Sequence, residues 1–177
     1  MPAENALVED APAEDAPGGD GSAGVLIVGY GNKLRGDDAL GWHAVERLAD
    51  DSRVAEAEVV WRHQLTPELA FDFGRADLVI LIDADATLEA GAVSALRVTP
   101  APGSEGGPLM SHHIDPESLM VLARELYGAE PVVWIVSMGP ASMDVGEGLS
   151  PEVERAMPEL ANVVARLVAE FGARHGA

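Results

Sequence analysis

Three side chains of this chain carry the chemistry to hold a divalent cation, and they lie far apart in sequence: Asp38, Asp83 and His113. Asp38 stands in Gly29-Tyr30-Gly31-Asn32-Lys33-Leu34-Arg35-Gly36-Asp37-Asp38-Ala39-Leu40-Gly41. Asp83 ends the run Leu78-Val79-Ile80-Leu81-Ile82, and His113 closes Leu109-Met110-Ser111-His112-His113. Two carboxylates and an imidazole are a reasonable ligand set for a divalent transition metal, since imidazole suits Zn, Ni and Fe and carboxylates add charge. No local pairing such as His-Glu-x-x-His occurs, so the set depends on long-range assembly. A carboxylate in such a cluster also has the makings of a general base toward water, and a metal would polarise a carbonyl beside it.

The elements that must position these residues follow from hydrophobic pattern. Residues 24–29 form a short apolar strand that breaks at Gly29 and Gly31. A helix over 38–50 follows, with Asp37 as its expected N-cap and Asp38 complementing the helix dipole. Adjacent acids at this turn repel a phosphate and attract a cation. Residues 58–63 read as a second strand. Thr66 and Pro67 then open a helix that stops near Gly74. The run over 77–85 predicts a central strand buried on both faces. A charge at Asp83, after five apolar residues, is costly unless something pairs with it. Residues 91–98 read as an antiparallel edge strand.

A Pro/Gly loop over 99–108 leads to a helix capped by Asp115, begun by Pro116 and ended by Gly128. A strand over 131–138 and a Gly-rich loop over 139–148 precede the last helix, opened by Ser150-Pro151-Glu152. Pro158 inside that helix predicts a kink or a late start. Strands alternating with helices imply an α/β fold: one three-layer domain over 24–177, with a mostly parallel, twisted, five-stranded sheet and helices on both faces. Ligands of such sheets gather at the carboxyl ends of the strands, where Asp38, Asp83 and His113 would share one rim.

Composition narrows the classes. A chain of 177 residues, 47% hydrophobic, fits one domain with a sizeable core. The absence of Cys excludes disulfides, thiolate metal sites and a Cys nucleophile, and fits a cytoplasmic protein. A formal net charge of −19 makes nucleic acid and anionic membrane poor partners. No apolar run is long enough to span a membrane, and the N-terminus lacks the pattern of a secretory signal. Residues 1–23 are rich in Ala, Pro, Gly and acids and contain no Lys or Arg, the composition of a disordered, solvated tail. Asp85 reads as a partner of Asp83 or a loop acid, and His43, His63 and His175 as structural or terminal. Trp42, Trp61 and Trp134 read as core.

Four stretches in order carry a family resemblance. They are Gly29-x-Gly31-Asn32-x-x-x-x-Asp37-Asp38-x-x-Gly41; the strand ending Asp83-Ala84 with Gly91-x-Val93 after it; Ser111-His112-His113; and Gly148-Leu149-Ser150-Pro151-Glu152-Val153. The chain resembles the hydrogenase maturation endopeptidases, which trim the C-terminal extension of the nickel–iron hydrogenase large subunit. The resemblance implies that Asp38, Asp83 and His113 are the metal-contacting positions. The first is often Glu in that family, and Ser111 two residues upstream favours His113 over His112. It also implies a hydrogenase large-subunit precursor as partner, that precursor's nickel as the recognition element, and no organic cofactor. Asp38 is the candidate base. Two other readings stand beside it. A dinucleotide-binding Rossmann protein is suggested by Gly29-x-Gly31, although Leu34 stands where the third glycine belongs. A non-proteolytic metal-sensing or chaperone module on the same fold would bind the precursor without shortening it. The loops over 99–109 and 139–149 are expected to face a protein partner.

Overall fold

A computed structural model of the chain describes residues 24–100 and 114–175. Five strands and four helices alternate as the hydrophobic pattern requires: β1 (Val25–Tyr30), α1 (Leu40–Ala49), β2 (Glu58–Arg62), α2 (Leu69–Arg75), β3 (Leu78–Ala84), β4 (Val93–Val98), α3 (Pro116–Tyr127), β5 (Val132–Met138) and α4 (Pro151–His175). The sheet order is β2-β1-β3-β5-β4. Its first four strands are parallel, and β4 pairs antiparallel with β5 at the edge.

The central position of β3 explains its composition. Both faces of a parallel strand flanked by helices are dry, so all five residues from Leu78 to Ile82 are fully buried. Side-chain alternation sorts them. Ile80 and Ile82 join α1 and α4 on one face. Val79 and Leu81 join α2 and α3 on the other. The apolar stripes of the helices supply the covering layers.

Two glycines bring α1 onto the sheet. A Cβ on Gly41 would lie 2.4 Å from the carbonyl oxygen of Tyr30, and one on Gly29 would lie 2.0 Å from the carbonyl oxygen of Gly41. Backbone therefore meets backbone at this crossing, and any side chain at either position pushes helix and strand apart.

Several local expectations are corrected. Asp37 does not cap α1. A 3₁₀ turn over Gly36–Ala39 precedes that helix, whose N-cap is Ala39. Thr66-Pro67-Glu68 forms a turn before α2 rather than its first residues, with the N–H of Leu69 donating to the carbonyl of Thr66 at 3.1 Å. Gly74 lies inside α2, not at its stop. It is small because a Cβ there would sit 2.9 Å from the Cβ of Tyr127 on α3. α4 starts at Pro151 and continues through Pro158. The caps of α3 are as expected: Asp115 accepts from the N–H of Ser118 at 2.7 Å, and Gly128 closes the helix at φ 66°.

Candidate active site

Asp83 lies at the carboxyl end of β3, where the dry strand reaches the rim. The N–H of Ala84 donates to its Oδ1 at 2.7 Å. Gly29 and Ile82 are register partners, so Tyr30 emerges from the neighbouring strand beside Asp83. Its hydroxyl donates to the Asp83 carboxylate. Burial pushes the Asp83 carboxyl up to about 6, the hydrogen bonds from Tyr30 and Ala84 pull it back, and the charges of Asp38 and Asp85 push it up again. The Tyr30 phenol is driven far above its ordinary range, first by burial and then by the charge of Asp83.

Asp38 reaches the same rim from the 3₁₀ turn before α1. Its Oδ2 accepts from the N–H of Asn32 at 3.1 Å, and its own N–H donates to the carbonyl of Arg35 at 3.0 Å. Gly31, at φ 133°, lets the turn close, because a Cβ there would meet the carbonyl oxygen of Asp38 at 2.0 Å. Asp38 is only partly buried, and its charge acts on Asp83. Asp37 has a different task. It is fully buried, and its carboxylate accepts from the N–H groups of Ala141 (2.7 Å), Ser142 (3.0 Å) and Ser150 (2.6 Å). Burial would raise its pKa, but the hydrogen bonds from Ser142, Ser150 and Ala141 outweigh that and hold it below the usual value.

A strand-end carboxylate held near neutrality and a second carboxylate from the first turn thus face one rim. No protein-family model and no curated protein matches the chain. Solved structures do match. The hydrogenase maturating endopeptidase HybD from E. coli is 26% identical with a TM-score of 0.64, over 84% of this chain and 94% of that one. The chain is similar in fold, over most of its length, to the hydrogenase maturation endopeptidases. The nickel–iron hydrogenase maturation protease HycI from Thermococcus kodakarensis shares the fold at 21% identity and a TM-score of 0.63, over 85% of this chain and 95% of that one. So does the hydrogenase 2 maturation peptidase of a Thaumarchaeota archaeon, at 23% identity and a TM-score of 0.61, over 82% of this chain and 98% of that one.

The third expected ligand, His113, lies outside the described residues, as do Ser111 and His112. Among the described residues no three His, Asp or Glu side chains converge as a metal site. The tail over 1–23 and most of the loop over 99–109 also fall outside the description. Asp85 caps its own turn, accepting from the N–H of Thr87 at 2.8 Å, and reaches Asp83 through its charge.

The Rossmann reading fails on contact geometry. Gly29 and Gly31 are filled by the backbone of Gly41 and Asp38, so the glycine turn has no room for a pyrophosphate. Trp42 and Trp61 are half-buried rather than core, with the Lys33 ammonium over their rings at 4.9 and 4.0 Å. His43 and His63 stand edge-on to those rings, and His175 stacks on Phe171. Among the described residues no helix is long and apolar enough to cross a membrane. Sequence reading passed over Tyr30. Its signal was positional, a Tyr at the end of the strand next to the one that ends in Asp83.

Proposed function

We propose that the endopeptidase removes the C-terminal extension of the nickel–iron hydrogenase large-subunit precursor in the cytoplasm after nickel insertion, and that the precursor's nickel is what it reads. The observation that carries the proposal is the meeting of Asp38 and Asp83 at the carboxyl rim, with Asp83 at about 6 through burial. Two crowded carboxylates are unfavourable neighbours until a cation separates their charges. A precursor that brings a divalent ion relieves that repulsion, and an empty precursor does not. The site thereby distinguishes loaded from empty substrate. His113 is the proposed third ligand, in keeping with the preference of nickel for imidazole.

The cut itself requires a water to attack the scissile carbonyl. Asp38 is the better placed base, since its Oδ1 lies outside the hydrogen bond that Asn32 makes to Oδ2. Asp83, tied by Tyr30 and Ala84, is suited to holding the ion. The experiment is incubation with purified precursor, with and without nickel, followed by size on a gel. Wild type shortens only the loaded precursor, and Asp38→Asn, Asp83→Asn and His113→Ala each fail to do so. Normal shortening by all three variants would remove the site assignment. Binding without shortening by the wild type would favour the chaperone reading.

A further inference from the structure

The turn that carries Asp38 is zipped to the loop after β5. The N–H of Gly36 donates to the carbonyl of Gly146 at 2.9 Å, and the N–H of Gly146 donates to the carbonyl of Leu34 at 3.0 Å. Arg35 and Gly146 thus form a short parallel bridge. Asp37 locks it from below through Ala141 and Ser142, and the N–H of Asp37 donates to the carbonyl of Ser142 at 2.9 Å. In a parallel bridge the residues preceding each partner are also neighbours, which sets Leu34 beside Val145. Both are exposed: Leu34 at 59% and Val145 at 89%.

Single exposed apolar residues need no explanation, but two set side by side on a hydrogen-bonded backbone offer a small apolar contact surface. Arg35, Asp144 and Glu147 flank the pair in sequence, and Arg35 Nε donates to the carbonyl of Met143 at 3.3 Å. Its backbone is fixed by the hydrogen bonds above, so docking on it orders little further chain. It is also continuous with the proposed site, because Arg35 accepts the N–H of Asp38.

We propose that Leu34 and Val145 form the docking surface for the polypeptide substrate beside its cut, taking an apolar side chain of an extended segment that flanks the scissile bond. The inference rests on the function proposed above and names the chemistry by which the substrate chain is held. The pair supplies apolar anchorage while the acids deal with the ion, so affinity for the polypeptide and response to nickel reside in different residues.

The test is the affinity of purified nickel-loaded precursor for the full-length endopeptidase, together with KM and kcat for shortening. Leu34→Ser and Val145→Ser, at exposed positions that leave the core intact, each weaken binding by roughly three- to tenfold. The double variant weakens it by more than tenfold, in KM and not in kcat. Leu126→Ser, at an equally exposed leucine on α3, is the control and changes nothing. Unchanged affinity in the double variant would overturn the docking surface. If the wild type binds but never cuts, the proteolytic reading falls and the affinities alone decide the surface. If the wild type does not bind, both fall.

Discussion

Asp37 and Ser150 are separated by 113 residues and joined by a 2.6 Å hydrogen bond from the Ser150 N–H to the Asp37 carboxylate. Ser150 immediately precedes α4, so an acid of the first loop fixes the start of the last helix. The same carboxylate holds the loop after β5 through Ala141 and Ser142. Removing it strands three N–H donors in a buried site. Asp37→Ala is expected to cost on the order of 3–5 kcal/mol in urea unfolding. The pKa of Asp37 is depressed in the folded state, so its stabilisation is present above the ordinary carboxylate range and is lost as pH falls through the folded value. The stability gap between wild type and variant should therefore close on acidification.

Asp83 has the opposite sign. Its folded pKa is raised to about 6, so the native state holds the proton more tightly than the unfolded chain. Stability consequently falls as pH rises from about 4 to about 6, by roughly 3 kcal/mol. Asp83→Asn is neutral at every pH and isosteric. It should be more stable than wild type at pH 7, no more stable near pH 4, and inactive on loaded precursor. Thermal unfolding at the two pH values, alongside the processing assay, checks both halves. A variant no more stable at pH 7 would show that Asp83 is not a strained acid.

Tyr30→Phe deletes one hydroxyl from the Asp83 environment. The lost hydrogen bond favoured the anion, so the folded pKa of Asp83 should climb above its present value of about 6. A hydrogen bond to a charged group contributes about 1.5–3 kcal/mol, which corresponds to a shift of one to two pH units. The acid limb of the processing pH profile should move to higher pH by about one unit, with the rate at high pH preserved. An unmoved limb would mean that Tyr30 does not act on Asp83.

The sheet was legible because its signals are local and strong. The apolar run of β3 shows burial on both faces, and the weak alternation of residues 91–98 shows the exposed edge that β4 is. The glycine turn was legible as a turn, but its reason was not. Gly29 and Gly41 matter as a pair meeting across 12 positions, and a single sequence does not show which glycine faces which. Asp37 was misread for a related reason. An acid before a helix looks the same whether it caps that helix or accepts N–H groups from 100 residues away. Trp42 and Trp61 read as core from residue type alone, but both are half-buried with the Lys33 ammonium over their rings. Asp38 comes after β1 and Asp83 near the end of β3, and the parallel pairing of those strands sets both at one end of the sheet.

Pro158 raises a separate expectation. A proline inside a helix lacks the N–H that would donate to the carbonyl four residues earlier, here Glu154, and costs about 3 kcal/mol in a helix interior. The helix tolerates it because Pro158 faces solvent and the buried stripe of Val153, Met157, Leu160 and Val164 lies on the other side. Water can satisfy the Glu154 carbonyl, which is why the helix neither ends nor begins late at this point. Pro158→Ala restores the donor without touching the core or the rim. It should stabilise the protein by about 1–3 kcal/mol in urea unfolding and leave KM and kcat unchanged. A destabilised variant would mean that the proline fixes a bend which the packing of α4 on α1 requires.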